Sequence, residues 1–274
     1  MKKILITGSS GYIGSHLQKR LENKYDVYCL DFVEPKVPTK NFLNCDIRAF
    51  MGLAEEFDVV VHLAALVNVG ESVQKPTNYY ATNVTGTTNI INGVNAKNFI
   101  FASTGAAEGL GSPYGISKRI AEDCVKEMCT NRNMDYTIFR FYNVIGSDGI
   151  EPTNQDGLFY NLLQAPKNGF FTIFGDDYNT KDGTCERDYV HVNEICTAIE
   201  MAIQKPSNQI ENLGHGIGHT VLEMVNLFKE TNNVTFQTKY GSRRPGDLES
   251  SVLKNPSNYM KRMYKLQDLL KVDN

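Results

Sequence analysis

The sequence lacks the features that mark membrane, nucleic-acid-binding and disulfide-stabilised proteins. No apolar run approaches the ~20 residues that cross a bilayer. The 28 Lys and Arg residues do not outnumber the 31 Asp and Glu residues, so the formal net charge of −3 offers no basic field to nucleic acid or an anionic membrane. The 6 cysteines show no Cys-x-x-Cys spacing, which favours free thiols in a reducing compartment. We therefore expect a soluble cytoplasmic protein without nucleic-acid or membrane partners.

Internal repeats, low-complexity segments and metal-ligand spacing of histidines are also missing, so no metal site is expected. What remains is a chain of 274 residues, of which 41% are hydrophobic, long enough for one large domain or two interlocked ones.

Short runs of Ile, Val, Leu and Phe alternate with helical patterns in the first half of the chain. The runs predict strands at residues 3–7, 26–31, 59–63, 99–103 and 136–143, and the patterns between them predict helices at 15–23, 77–94 and 116–131. Strands separated by helices at this spacing predict an α/β fold with a doubly wound parallel sheet. Beyond residue 146 the regularity fades into Gly- and Asp-rich loops, with one further helical pattern at 190–204. We expect a smaller mixed α/β lobe there.

A glycine triplet follows the first predicted strand and opens the first predicted helix. Gly8, Gly11 and Gly14 allow a tight turn, close approach of a pyrophosphate and close helix–strand packing, as in Rossmann dinucleotide sites. Asp31 ends the next strand, where its carboxylate can accept hydrogen bonds from both ribose hydroxyls and would repel a 2′-phosphate. The sequence therefore predicts NAD rather than NADP. Asp46 and Ile47 are weaker candidates for contacts with the adenine.

A second pattern predicts hydride-transfer chemistry. Tyr114 and Lys118 stand four apart, on one face of a helix, where an ammonium lowers the pKa of a phenol toward the working range of a base. The strand at 99–103 ends in Ser103 and Thr104, at the sheet edge that faces the ligand crevice. Together these residues predict a hydride-transfer enzyme in which Tyr114 and Lys118 act with a strand-end hydroxyl, that of Ser103 or Thr104.

Several longer stretches carry a resemblance to a known family. They are His62-Leu63-Ala64-Ala65, 69–76, Asn83-Val84-Thr85-Gly86-Thr87, Arg140-Phe141-Tyr142-Asn143, 182–192 with Asp-Gly-Thr and Arg-Asp-Tyr, and Asn212-Leu213-Gly214. On these residues the chain resembles the extended short-chain dehydrogenases/reductases and, among them, the UDP-glucose 4-epimerase family, of which it would be a shortened member. The resemblance runs from residue 3 to about 253.

The resemblance implies an isomerase that inverts C4 of a UDP-hexose through a transient 4-keto sugar, with tightly bound NAD. It implies an NAD-binding Rossmann domain of residues 1–145 plus about 188–212, and a nucleotide-sugar-binding lobe of 146–187 plus 213–274. Implied NAD contacts are Gly8, Gly11, Tyr12, Ile13, Gly14, Asp31, Asp46, Ile47, Leu63, Ala64, Ala65, Asn83, Ser103, Tyr114, Lys118 and Tyr142. Implied UDP-sugar contacts are Thr104, Asn143, Leu158, Phe174, Arg187, Arg244, Asp247 and Ser251.

Departures from the family lie on the substrate side. Only nine residues separate Thr104 from Tyr114, and Gly157 stands where the family has asparagine. Ser251 aligns with the residue that limits the sugar C2 substituent, and its small side chain favours acceptance of UDP-N-acetylglucosamine as well as UDP-glucose.

Three other functions remain open from the sequence. A nucleotide-sugar dehydratase or decarboxylase places an acidic residue soon after the strand-end hydroxyl, whereas Glu108 comes later here. A simple reductase and a non-catalytic NAD-binding module are the others. A homodimer through a four-helix interface is also expected, with Tyr79, Tyr80, Ile90, Ile91, Ile120 and Met128 as candidates, although core packing explains these residues equally well.

Overall fold

The computed structural model describes residues 1–244 and 246–272. The chain forms two compact units, one of Met1–Phe141 with Cys196–Glu211 and one of Tyr142–Ile195 with Asn212–Asn274. The sequence placed the first boundary at 145 and the returning segment at about 188–212, so the two divisions differ by 4 residues at the first boundary, about 8 at the start of the returning segment and 1 at its end.

The first unit contains the large sheet, whose strand order is β10-β6-β5-β4-β1-β2-β3. The strands are β1 (Lys3–Thr7), β2 (Asp26–Asp31), β3 (Phe42–Asn44), β4 (Glu56–His62), β5 (Asn95–Thr104), β6 (Asp135–Phe141) and β10 (Ile210–Leu213). The five pairings from β3 to β6 are parallel. An order that reverses direction at β1 is the doubly wound arrangement, and the predicted fold class is confirmed.

Helices connect these strands. They are α1 (Tyr12–Leu21), α2 (Val69–Gln74), α3 (Pro76–Tyr80), α4 (Thr87–Gly93), α5 (Ala106–Gly109), α6 (Pro113–Asn131) and α8 (Val192–Gln204). A π-helical turn, Ala81–Gly86, joins α3 to α4, so the single helix predicted at 77–94 is interrupted. Residues 190 and 191 belong to a strand and not to α8.

The apolar runs of the sequence form the core of the first unit. Leu5, Val60, Phe99, Phe101 and Ile138, from four adjacent strands, are fully buried in one cluster. At roughly 1.5–3 kcal/mol for each large side chain, this burial holds the sheet against its covering helices. The carboxyl ends of β1, β4 and β5 are thereby fixed side by side, where the candidate site residues begin.

The second unit is smaller and mixed. It contains β7 (Asn143–Ile145), β8 (Phe170–Phe174), β9 (Glu186–His191), β11 (Gly218–Thr220), β12 (Gln237–Gly241) and β13 (Ser250–Ser251), with helices α7 (Leu158–Asn168), α9 (Val221–Asn232) and α10 (Leu266–Leu269). Strand β9 pairs parallel with β7 and β13 and antiparallel with β11. The expected mixed α/β character of this part of the chain is confirmed.

Among the described residues, every helix is too short or too polar to cross a bilayer.

Candidate active site

The glycine loop between β1 and α1 has no room for side chains at two of its three glycines. Gly8 adopts a φ of +71°, and a Cβ there would lie 2.6 Å from the backbone nitrogen of Ala64. A Cβ on Gly14 would overlap the carbonyl oxygen of Gly8. Among the described residues, a Cβ on Gly11 would come within 4 Å of the Gly8 oxygen alone, at 3.2 Å. Gly8 and Gly14 therefore serve close packing, while Gly11 leaves the mouth of the loop open.

Helix α1 begins at this loop without a side-chain cap. Gly11 is the N-cap, and the first intrahelical bond runs from the Ser15 N–H to the Gly11 carbonyl. The N–H groups of Ile13 and Gly14 precede that bond, at the positive end of the helix dipole, where they suit an anion. Tyr12 packs edge-on against His16, at 5.0 Å between ring centroids.

Asp31 lies at the end of β2, directly over the loop. Its Oδ2 accepts from the Ser10 N–H at 3.0 Å, and its Oδ1 accepts from the Val33 N–H at 3.1 Å. A carboxylate has about four acceptor sites, so both oxygens keep capacity for ribose hydroxyls. The glycine loop, the bare helix N-terminus and this carboxylate together fit the pyrophosphate and ribose of NAD.

Asp46 and Ile47 use their side chains within the protein. Asp46 accepts from the Arg48 N–H at 2.9 Å and forms an ion pair with its guanidinium at 2.5 Å. These contacts lower the pKa of the Asp46 carboxyl. Ile47 is buried in the core, where its side chain would meet a Cβ on Gly86. Because both side chains are used within the protein, the expected contacts of Asp46 and Ile47 with NAD would have to come from their backbone atoms, and they remain a prediction.

The segment after β4 is anchored at both of its ends. The Leu63 N–H donates to the Thr7 carbonyl at 3.0 Å, and the half-buried Ala64 and Ala65 follow it. Asn83, on the π-helical turn, accepts from the Leu66 N–H at 2.9 Å and donates to the Leu66 carbonyl at 3.0 Å. The amide of Asn83 therefore holds the loop beside the glycine loop in place.

A chain of buried polar side chains continues from Asn83. Its Nδ2 donates to the Ser117 hydroxyl at 3.0 Å, which donates to the Tyr114 carbonyl at 2.8 Å. In the other direction, Thr87 donates to the Asn83 carbonyl at 2.7 Å and contacts His62 Nε2 at 3.0 Å. His62 Nδ1 lies 2.7 Å from the Thr7 hydroxyl. The ends of β1 and β4 are thus linked to α6.

Helix α6 carries the Tyr114–Lys118 pair. Ser112 caps the helix by accepting from the Gly115 N–H at 3.2 Å, and Pro113 occupies its first turn. A Cβ on Gly115 would lie 2.5 Å from the Ala106 carbonyl oxygen, so glycine lets α5 approach α6. The hydroxyl of Thr104, at the end of β5, lies close enough to the Tyr114 phenol to lower its pKa by hydrogen bonding. The expected grouping of Thr104 with Tyr114 is present.

The pKa of Tyr114 differs from expectation. We expected Lys118 to lower the pKa of Tyr114. Burial instead raises it to about 12, and the hydrogen bond from Thr104 is the contribution that lowers it. Burial also lowers the pKa of Lys118 to about 7, while the Glu122 carboxylate opposes that shift. Because both groups are buried, each favours its neutral form.

The sequence analysis missed the groups behind this pair. Glu122 accepts from the Ser103 hydroxyl at 2.5 Å and from Arg140 through two bonds of 2.8 and 2.7 Å. Arg140 also contacts Glu108 at 2.8 Å. Ser103, an expected NAD contact, therefore directs its hydroxyl to Glu122. The spacing of 114, 118 and 122 on one helical face was the signal for Glu122.

In the second unit, four of the expected UDP-sugar residues come together. Asp247 lies 2.8 Å from Arg244 and 3.8 Å from Arg187. The guanidinium of Arg244 lies over the ring of Phe174, 5.1 Å from its centroid. Two guanidinium groups beside an aromatic ring suit a diphosphate next to a flat base.

Four more expected site residues belong to this unit. Ser251 pairs in register with Arg187, and Asn143 donates to the Asp188 carbonyl at 3.1 Å. Leu158 begins α7 and packs on the core of the unit. Tyr142 is half-buried, and its N–H donates to the Leu213 carbonyl at 3.2 Å. Contacts of these residues with ligand remain predictions.

The candidates for the four-helix interface differ in exposure. Tyr79, Ile90 and Ile91 are fully buried inside the chain, so core packing accounts for them. Tyr80 and Met128 are half-buried. Ile120 is 40% exposed, which leaves it as the apolar candidate on the outer face of α6.

Comparison with known proteins identifies the family of this chain. Residues 4–214 match the NAD dependent epimerase/dehydratase family. A UDP-glucose 4-epimerase from Haemophilus influenzae is 34% identical over 89% of this chain and 87% of its own. Among solved structures, a UDP-glucose 4-epimerase from Thermotoga maritima with UDP-glucose is 29% identical, with a TM-score of 0.85 over 98% of this chain and 96% of that one.

A UDP-Glc/GlcNAc 4-epimerase from Campylobacter jejuni is 30% identical, with a TM-score of 0.77 over 97% of this chain and 96% of that one. The family match covers well over half of the chain, and this chain aligns with most of the length of each of these relatives. The chain belongs to the NAD dependent epimerase/dehydratase family.

Proposed function

We propose that this protein is an NAD-dependent UDP-sugar 4-epimerase, which interconverts UDP-glucose and UDP-galactose through a transient 4-keto sugar. The observation that carries the proposal is the contact of Thr104 with Tyr114, one helical turn from Lys118, at the carboxyl end of a strand in a dinucleotide-binding sheet. The 34%-identical relative is a UDP-glucose 4-epimerase, which supports this choice of substrate.

NAD, when bound, would supply reversible hydride transfer at C4 of the sugar. The protein's own part is proton transfer and orientation. The oxygen of Tyr114 takes the proton of the sugar 4-hydroxyl, and the Thr104 hydroxyl shares its hydrogen bond with both oxygens. Lys118 supplies positive charge beside the phenolate and holds the nicotinamide ribose. Since burial opposes ionisation of Tyr114, the base depends on these partners.

Glu108 argues against elimination chemistry. In a dehydratase an acidic group after the strand-end hydroxyl removes a proton from the substrate. Here the Glu108 carboxylate is paired with Arg140 at 2.8 Å. The Glu108 carboxylate is therefore engaged with Arg140, which supports the epimerase over the dehydratase.

We further propose that UDP-N-acetylglucosamine is accepted. Ser251 stands in register with Arg187, beside the proposed diphosphate site, and its small side chain leaves volume for the N-acetyl group. The Campylobacter jejuni relative acts on both sugars by its name. Turnover of UDP-galactose without any turnover of UDP-N-acetylgalactosamine would rule this out.

The decisive experiment uses the purified full chain without added cofactor. Incubation with UDP-galactose should give UDP-glucose, and denaturation should release NAD in near-stoichiometric amount. Net consumption of NADH on an external carbonyl would indicate a reductase, release of water a dehydratase, and NAD without turnover a non-catalytic module.

We also propose a homodimer in the cytoplasm. The exposed Ile120 on α6 supports the dimer, and the six free cysteines support a reducing compartment. Light scattering coupled to size exclusion tests the dimer, and a mass of 30.7 kDa in solution would contradict it.

A further inference from the structure

A buried row of alternating charge lies behind the catalytic pair. Lys118 and Glu122 stand one turn apart on α6, and Arg140 of β6 binds Glu122 through both carboxylate oxygens. Glu108 of α5 is the last charged group of the row and forms an ion pair with Arg140. Lys118, Glu122 and Arg140 are all buried, with Glu122 fully so. Such a row is costly to bury unless each charge has an opposite neighbour.

We propose that Glu122 is a positioning residue, which Arg140 and Ser103 hold in place so that its charge keeps Lys118 an ammonium ion beside Tyr114. The inference rests on the proposed function only for its catalytic consequence. The effect of the Glu122 charge on Lys118 depends only on the folded chain and needs no substrate.

The groups around Lys118 make Glu122 its one nearby anion within the part of the chain that the structure describes. On α6 its neighbours are Tyr114 and Glu122, and from β5 the ring of Phe101 lies 4.1 Å from its Nζ. His62 lies at the end of β4. Burial lowers its pKa to about 3, so it carries no charge at neutral pH. Arg140 of β6 is the next cation, bonded to Glu122.

The bidentate bond to Arg140 has a specific consequence. A free carboxylate beside Lys118 would form a direct ion pair and draw the ammonium away from the tyrosine. Because Arg140 and Ser103 take three of the about four acceptor sites of the Glu122 carboxylate, Glu122 acts on Lys118 mainly through its field. Lys118 then remains available to the phenol and to the cofactor ribose.

Two substitutions should move the titration of Lys118 in opposite directions. Glu122→Gln removes the anion and leaves the Arg140 cation, so the Lys118 midpoint should fall by about 1 to 3 pH units. Arg140→Gln removes the competing cation and frees the Glu122 carboxylate, so the midpoint should rise. Asp123→Asn, on the same helix but paired at the surface with Lys126, is the matched control and should leave the midpoint unchanged.

The titration is read from the full chain, as purified, labelled with [13Cε]lysine. The Lys118 signal is assigned by its loss in Lys118→Met, and the remaining lysine signals report whether each variant is folded. If Glu122 had a purely structural role, Glu122→Gln and Arg140→Gln would lower stability but would not shift the Lys118 midpoint in opposite directions. Equal midpoints in wild type and Glu122→Gln would overturn the proposal. If Glu122→Gln does not fold, an unchanged or lower midpoint in Arg140→Gln overturns it.

The catalytic consequence is measured separately. Lys118 is charged below its pKa, so the alkaline limb of kcat/KM should move to lower pH in Glu122→Gln. If wild type fails to epimerise UDP-galactose, the proposed function fails while the lysine titration still decides the role of Glu122.

Discussion

Replacing Tyr114 by phenylalanine tests the chemistry most directly. The substitution removes the phenol oxygen and keeps the ring, which packs edge-on against Tyr79 at 6.4 Å between centroids. The sugar 4-hydroxyl then has no base to take its proton. Turnover should fall by a factor on the order of 10² or more, about 2.7 kcal/mol of transition-state stabilisation.

The same variant should fold and bind NAD as wild type does. The hydroxyl of Thr104 loses the phenol but still accepts from the Ala106 N–H at 3.2 Å. One lost hydrogen bond costs about 0.5 to 1.5 kcal/mol, and burial of the phenol oxygen, which opposed folding, offsets part of that. The change in free energy of unfolding should therefore stay within about 1 kcal/mol. The glycine loop and Asp31 are untouched.

The assay measures conversion of UDP-galactose at saturating substrate, with released NAD quantified in the same samples. Tyr79→Phe is the matched control, since it removes, from the ring that packs against Tyr114, a phenol hydroxyl that is bonded to Glu71 at 3.1 Å. Wild-type turnover in Tyr114→Phe would refute the assignment. A loss of bound NAD in parallel with turnover would show that the tyrosine holds the cofactor and would remove it as the base.

Three further outcomes are expected. Gly14→Ala should lower the melting temperature, because its Cβ would overlap a carbonyl oxygen of the loop, whereas Gly11→Ala should keep the fold and lose retained NAD. Thr104→Val should lower turnover and Thr104→Ser should not, because the hydroxyl lowers the pKa of Tyr114. His62 has a folded pKa of about 3, below its unfolded value, so unfolding free energy should fall with pH from about 6.5 downward, by up to about 1.4 kcal/mol per unit. His62→Gln should flatten that slope in urea titrations.

The elements with strong periodicity were predictable from the sequence. Strands β1 and β2 have the expected bounds, and the glycine loop, Asp31 and the Tyr114–Lys118 pair stand where parallel-sheet geometry requires. These features depend on local pattern and on the rule that ligands bind at the carboxyl ends of strands.

The features that were missed depend on contacts between distant segments. The π-helical turn at Ala81–Gly86 aims the Asn83 amide at Leu66 and Ser117, 17 and 34 residues away, and no local periodicity reports such a bond. The bond between Glu122 and Arg140 joins a helix to a strand in the same way. The expected pKa of Tyr114 had the wrong sign, because helical spacing shows which charges are near but not how deeply a phenol is buried.

Burial and hydrogen-bond direction together determine the state of His62. Thr87 has one hydroxyl hydrogen, which it donates to the Asn83 carbonyl, so it must accept from His62 Nε2. Nδ1 of the neutral ring is then an acceptor, and the Thr7 hydroxyl donates to it while accepting from the Ala64 N–H at 3.4 Å. Each donor in this row has one acceptor, so the Nε2–H tautomer is the one that fits. Protonation would place a second hydrogen against the Thr7 donor, which is why acid should weaken the fold at this point. The 15N pattern of the ring distinguishes the tautomers, and an Nδ1–H signal would refute this assignment.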